Sequence, residues 1–307
     1  MRLIDVTSFP IRDVLVNLLQ DKTTEGNIIF ATNNYESLGV EFQETKEITP
    51  AKVVNMNLMP RVQKEMEHQR DRTRAKAEVF TPSWICNKMN NHCDEEWFGR
   101  LDVFNKEDGA SWIVYESVIE FPEGLTWKDY VDSRRIEITC GEAPYIVSRY
   151  DTTTGDVIPV ERRIGILDRK MRVINENIDD EDEWLKWTIR AFQSVYGYEY
   201  QGDNLLIARI NMVNTFVDYV KYKWNRKPDI SEIRKIVNII CWNFWQMDGI
   251  TGTIPFGKPE EEFMQLSLFD EMMGIGDPVE DKETPVCKIF DWRSNESIKY
   301  TDLKKGK

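Results

Sequence analysis

Residues 196–216 constrain the fold more than any other part of the chain. A short aromatic run of β type, Tyr196-Gly197-Tyr198-Glu199, ends in an acid. A tight turn follows at Gln201-Gly202-Asp203. Leu206, Ile210, Val213, Val217 and Val220 then recur at helical spacing. An acid at the carboxyl end of a strand, just before a helix, is where open α/β sheets hold ribose hydroxyls. A carboxylate accepts two hydrogen bonds from a vicinal diol. The stretch therefore predicts a strand, a helix and a pocket for an adenosine-like cofactor that uses Glu199, with Tyr200 beside it.

The chain has 307 residues, enough for one large α/β domain or two modest ones, and 41% of them are hydrophobic, so a sizeable core can form. The formal net charge of −13 argues against wholesale nucleic-acid binding. One local basic strip exists, with Arg61, Lys64, Arg70, Arg72, Arg74 and Lys76. It reads either as a phosphate-contacting face or as a solvated helix face. The five cysteines are scattered, with no Cys-x-x-Cys pair, as in reduced cytosolic proteins. Cys86, His92 and Cys93 lack a fourth ligand, so no zinc site is expected. No apolar run is long enough to span a membrane and no signal peptide is visible, so a cytoplasmic location is expected.

Along the chain, residues 11–21 read as a helix and 27–32 as a strand. Residues 60–78 are charged and helical in pattern, and 83–91 form a helix preceded by Pro82. Residues 135–139 read as a strand ending at Cys140-Gly141. Residues 151–180 are turn-rich and charged, as in an insertion or lid. A helix at 183–194 leads into the strand at 195–200. Residues 230–236 read as a helix and 237–242 as a buried strand. From 257 to 285 the composition becomes Gly-, Pro- and acid-rich, as in a linker. The expected divisions are an N-terminal extension over 1–70, a main domain over 71–256, the linker, and a small β unit over 286–307.

Three clusters can carry chemistry. The first is Glu137-Ile138-Thr139-Cys140-Gly141-Glu142-Ala143, a strand end and a small-residue turn that lets backbone approach a ligand. An ordinary strand-to-helix turn is the alternative. It precedes Glu199 by roughly 60 residues, a spacing that requires an insertion. The second is Phe80-Thr81-Pro82, where Phe80 can pack on a flat ring and Thr81 can bond a carboxylate. A helix cap with a hydrophobic staple fits it too. The third is Asn243-Phe244-Trp245-Gln246, a polar group between aromatic walls of the kind that holds a flipped base. A Trp-rich core corner is its alternative.

In this order the pieces resemble the gamma-type arrangement of N6-adenine DNA methyltransferases, the M subunits of restriction–modification systems. Val79-Phe80-Thr81-Pro82 resembles that family's Val/Tyr-Thr-Pro motif, which touches the methionine part of S-adenosylmethionine. Residues 137–143 resemble its Asp-Pro-Ala-Cys-Gly-x-Gly loop, with Glu137 in the acid's place and Ala143 in place of the second glycine. Tyr196–Glu199 and Ala208–Asn211 match its Tyr-Gly-x-Glu strand end and Ala-Arg-x-Asn helix. The catalytic Asn-Pro-Pro-Tyr is degenerate: Asn243 is kept, both prolines are lost, and the aromatic has moved.

The resemblance spans roughly residues 70–255 and implies a Rossmann-like methyltransferase sheet preceded by a helical region. It implies S-adenosylmethionine as cofactor, held by Phe80, Thr81, Pro82, Glu137, Thr139, Cys140, Gly141, Glu199 and Tyr200. It also implies transfer to adenine by Asn243, Phe244 and Trp245, with DNA as partner and no metal. A cofactor- and DNA-binding subunit that has lost turnover is the alternative; no separate DNA-recognition domain is legible, so partners such as a specificity subunit, or the insertions, are expected to supply recognition. A nuclease is disfavoured because no metal-binding acid and lysine pattern is present. Residues 265–269, Gln265-Leu266-Ser267-Leu268-Phe269, resemble a sliding-clamp-binding pentapeptide.

Overall fold

The structure, a computed structural model, describes residues 3–63, 81–257 and 285–304. Phe80, the basic strip beyond Gln63 and the 265–269 peptide lie outside the described residues.

The chain opens with helix α1 (Ile11–Leu18) and, after irregular backbone, the short helix α2 (Pro50–Asn55). Helix α3 (Ser83–Phe98) leads to an antiparallel hairpin, β1 (Asn105–Asp108) and β2 (Ser111–Val114), and to helix α4 (Trp127–Asp132). Strand β3 (Arg135–Glu137) is followed by turns and by helices α5 (Ile166–Asn177) and α6 (Glu181–Gln193). Then come strand β4 (Val195–Glu199), the long helix α7 (Gly202–Trp224), helix α8 (Ile230–Asn243) and strand β5 (Phe244–Gln246). A second hairpin, β6 (Lys288–Asp291) and β7 (Glu296–Lys299), and helix α9 (Tyr300–Lys304) end the described chain.

The central sheet is parallel, in the order β3-β4-β5. Its register sets Gly197 between Glu137 and Phe244, and Glu199 beside Gln246. This is a mixed α/β architecture around a small parallel sheet. β4 is buried along its length and takes the middle position, as the unbroken aromatic run predicts.

Helix α7 buries residues on all sides, which explains a sequence that is apolar around the whole helix rather than on one stripe. It ends where Asn225 adopts a left-handed φ of 50°. In α8, Asp229 and Glu232 form a reciprocal capping box. Residues 237–242 belong to this helix and not to a strand. Ile233, Ile236, Val237 and Ile240 keep the helical spacing, and a short apolar run does not by itself distinguish a buried helix from a buried strand.

Residues 151–180 also differ from the expected lid. Their second half is α5, whose Leu167, Met171 and Ile174 lie in the main core. The charges that read as surface are buried and partnered. Arg169 pairs with Asp94 and bonds Asn87 and Asn91. Lys170 donates to Val131 O, Ser133 O and Ser194 Oγ. Burial lowers the Lys170 pKa well below the usual lysine value.

The first sixty residues share the same core. Leu15, Leu18, Phe30, Ile48 and Val53 cluster with Leu206, Ile210 and Phe244. Gln246 at the end of β5 exchanges hydrogen bonds with the backbone of Ile29, and the Gly202 amide donates to Phe30 O. The carboxyl-terminal hairpin packs on α8, and Cys287 and Ile289 cluster with Tyr196, Tyr198, Trp245 and Met247.

Gly202 makes the close approach of the N-terminal segment possible. A Cβ there would sit 2.0 Å from Ile29 O, a backbone atom that cannot swing away. Helix propensity alone favours Gly202→Ala by about 1 kcal/mol. Overpacking opposes it by about 1–3 kcal/mol and wins because the obstacle is backbone. Urea unfolding should therefore show a net loss of stability in Gly202→Ala. An equal or raised midpoint would mean the N-terminal segment does not need this contact.

Candidate functional site at the carboxyl ends of the parallel strands

A cleft of about 850 Å³ opens where β3 and β4 end. Glu137 and Ile138 from β3 and its turn form one wall, and Glu199, Tyr200 and Gln201 after β4 form another. Ala31 and Arg61 come from the N-terminal segment, Thr81 and Met89 from the start of α3 and the residues before it, and Ile166 from α5. A smaller cavity of about 70 Å³ adjoins it, shares Arg61, Thr81, Glu137, Thr139 and Tyr145, and reaches Cys140, Gly141 and Thr152. Strands that end together place their last side chains and first turn amides at one edge, which is why the cleft forms here.

The turn after β3 is unusual backbone. Thr139, Gly141 and Ala143 have φ of 49°, 55° and 62°, a left-handed region that only glycine enters without strain. Packing and hydrogen bonds hold it. The Glu199 carboxylate accepts from the Gly141 amide at 2.8 Å and from the Gln201 amide at 3.1 Å. The Cys140 amide donates to Tyr198 O. The Glu142 carboxylate accepts from the Tyr150 hydroxyl and from the Arg61 amide, and the Asn211 side chain donates to Glu142 O. Glu199 and Gly141, expected from sequence to share a pocket, are directly bonded.

Both cleft acids have raised pKa values. Burial is the main cause for Glu199, opposed by the Arg61 charge and by the Gln201 and Gly141 amides. Burial raises Glu137 further, with the nearby Glu199 charge adding to the rise against the amides of Tyr145 and Ile146. Glu137 Oε2 is buried with no hydrogen-bond partner among the described residues. An orphaned carboxyl oxygen at a cleft wall is the kind of group a ligand satisfies.

Among the other expected site residues, Thr81 lines both cavities, its carbonyl accepting from Thr152 Oγ1. Pro82 caps α3 and Tyr200 lines the larger cleft. Cys140 is buried beneath the turn, and Thr139 is exposed at the rim.

Asn243, Phe244 and Trp245 are placed elsewhere, contrary to the base-binding expectation. Asn243 is the last residue of α8 and precedes β5, so it lies toward the amino end of the sheet. Since Gln246 pairs with Glu199, Asn243 sits three residues back along the strand, about 10 Å below the cleft rim at the usual rise per residue. Its amide is fully used: Nδ2 donates to Phe192 O and Val195 O, and Oδ1 accepts from the Trp292 indole. Phe244 is in the main core, and Trp245 packs against Tyr198 and Tyr300. The strand assigned to 237–242 had put Asn243 at a strand's carboxyl end, and the helix there reverses that.

Sequence reasoning missed Arg61 as a cleft residue by grouping it with a basic strip. It missed Ala31, Asn90 and Ile166 because no local pattern links them to β3 and β4. The Ala208–Asn211 match proves to be scaffold: Arg209 and Asn211 are buried and bond backbone.

A buried carboxyl with a raised folded pKa binds more protons folded than unfolded. Its effect on stability is therefore least unfavourable below the ordinary value of 4.5 and grows as pH rises toward the folded value. Glu137→Gln removes that term. As pH rises above the ordinary value of 4.5, the wild-type Tm should fall more than that of Glu137→Gln. Parallel curves from calorimetry would mean that Glu137 is not held protonated by burial.

No family model, no curated protein and no solved structure matches this chain. Among the described residues, no group of three or more His, Cys, Asp or Glu is arranged to hold a metal ion, and no helix is long and apolar enough to cross a membrane.

Proposed function

We propose that the chain binds S-adenosylmethionine in the cleft, as a cofactor- and DNA-binding subunit of adenine-N6 DNA methylation of the restriction–modification type. The observation that carries this reading is Glu199, a buried acid at the carboxyl end of the central parallel strand that also grips the glycine turn of the neighbouring strand. The cleft volume of about 850 Å³ falls within the usual span for small-molecule sites.

The residues present fit the cofactor. Glu199 faces the cleft with oxygens that each accept one amide and have capacity left for sugar hydroxyls. Glu137 brings a carboxyl oxygen with no partner among the described residues, and Gly141 supplies one of the left-handed φ values that the turn uses. Ile138, Ile166 and Tyr200 supply apolar wall for a flat ring. Bound there, S-adenosylmethionine supplies an electrophilic sulfonium methyl group. The protein's part is to hold it in one pose and exclude water, and positioning is a large share of such catalysis.

The placement of Asn243 favours the subunit reading over an independently active enzyme, because its amide is buried and spent on backbone and Trp292. In the second reading, an active adenine-N6 methyltransferase, acceptors other than Asn243 must hold the target amino group. DNA, a specificity subunit and a sliding clamp are the partners this reading brings.

Isothermal titration of the intact chain with S-adenosylmethionine should show saturable binding, weakened by about tenfold or more in Glu199→Gln, which puts an amide donor against one of the two backbone N–H groups and removes the carboxylate. Unchanged affinity in the variant would remove Glu199 from the site. Methyl-label transfer to mixed DNA separates the two readings. The chain alone should leave adenine unlabelled, and labelled N6-methyladenine would favour the active enzyme.

A further inference from the structure

We infer that Arg61 reads the anionic end of the cofactor, making the cleft selective for a ligand that carries a carboxylate as well as a nucleoside. This rests on the cofactor reading above and assigns a specificity residue outside every motif that led to it.

Arg61 comes from the N-terminal segment, yet it lines both the main cleft and the small adjoining cavity. Its position is set from two sides. The backbone amide donates to Glu142 Oε1 at 2.6 Å, and Nε donates to Asn204 Oδ1 at 3.3 Å. The guanidinium lies against the glycine turn, with Nη1 and Nη2 each 3.5 Å from where a Cβ on Gly141 would be. A Cβ at Gly141 would make ordinary contact with the guanidinium, so the cost of a side chain there is the strain of a φ of 55°.

Charge makes the case. Among the described residues lining the cleft, Arg61 is the single cation, facing the acids Glu137 and Glu199. A cleft with acids alone repels an anionic ligand. One guanidinium beside them makes the site complementary to a ligand with both hydroxyl donors and an anionic group. The small cavity, of about 70 Å³, has room for that group. Thr81, Thr139, Thr152 and Tyr145 line the same space together with Glu137 and Glu142, and both Glu142 oxygens are already engaged by the Arg61 amide and the Tyr150 hydroxyl. Arginine's planar fork suits a carboxylate bidentately, and lysine's point charge does not replace it.

The test is isothermal titration of the intact chain and of Arg61→Met and Arg61→Lys, each with S-adenosylmethionine and with its decarboxylated analogue. Wild type should bind the carboxylate-bearing ligand about 10- to 100-fold more tightly than the analogue, the usual worth of a charged hydrogen-bond pair. Arg61→Met should abolish that preference by weakening the carboxylate-bearing ligand selectively, and Arg61→Lys should restore only part of it. Equal wild-type affinity for the two ligands overturns the proposal even if neither variant folds. Equal weakening of both ligands in Arg61→Met also overturns it, because the residue then only props the turn. If wild type binds neither ligand, the cofactor reading itself fails, and this inference with it.

Discussion

The fold depends on one buried guanidinium. Arg209, fully enclosed within α7, donates to Leu18 O and Gln20 O at the end of α1 and twice to Phe244 O at the start of β5. No carboxylate neutralises it in that network. Backbone carbonyls do, and one of them is a helix-end acceptor that needs a partner. Hydrogen bonds to a charged group contribute about 1.5–3 kcal/mol each, comparable to burying a large apolar side chain. By gripping α1 and β5 together from α7, Arg209 seats the N-terminal segment on the sheet. Only then do Ile29 and Phe30 meet Gln246 and Gly202, and only then does Ala31 become a cleft wall.

The turn after β3 shows how such a scaffold holds strain. Three alternate residues adopt left-handed φ, and two of them have side chains. Strain of about 1–3 kcal/mol per residue persists only where the surroundings over-determine the backbone. Here Glu199, Tyr198, Tyr150 and Asn211 all bond this turn or the residues in it. Ala143 buries its methyl in the main core, which offsets part of the conformational penalty. The turn thus keeps its shape with alanine, not glycine, at 143.

Much of the cleft was legible in the sequence because its signals are local. An aromatic run ending in Glu199, followed by Gly202 and a helical repeat, specifies β4, its turn and α7 without long-range information. The run ending at Glu137 likewise yields β3, and two strand ends with acids imply a shared edge. The remainder depends on partners far along the chain. Residues 237–242 are apolar enough for either regular structure, and only the continuation of a capped helix decides. Helix α5 carries Asp168, Arg169 and Lys170 in succession, which reads as surface, yet each is buried with polar partners. Arg61 and Ala31 enter the cleft through tertiary contacts that leave no mark on their neighbours. Asn243 stands at a position that the topology turns to structural use.

Glu199 reaches the amides of two segments from a single strand end. That reach needs the full length of a glutamate. An aspartate, one methylene shorter, would have to choose between anchoring the glycine turn and facing a sugar. Side-chain length at this position therefore links the order of the loop to the identity of what it can hold, and neither can drift without the other.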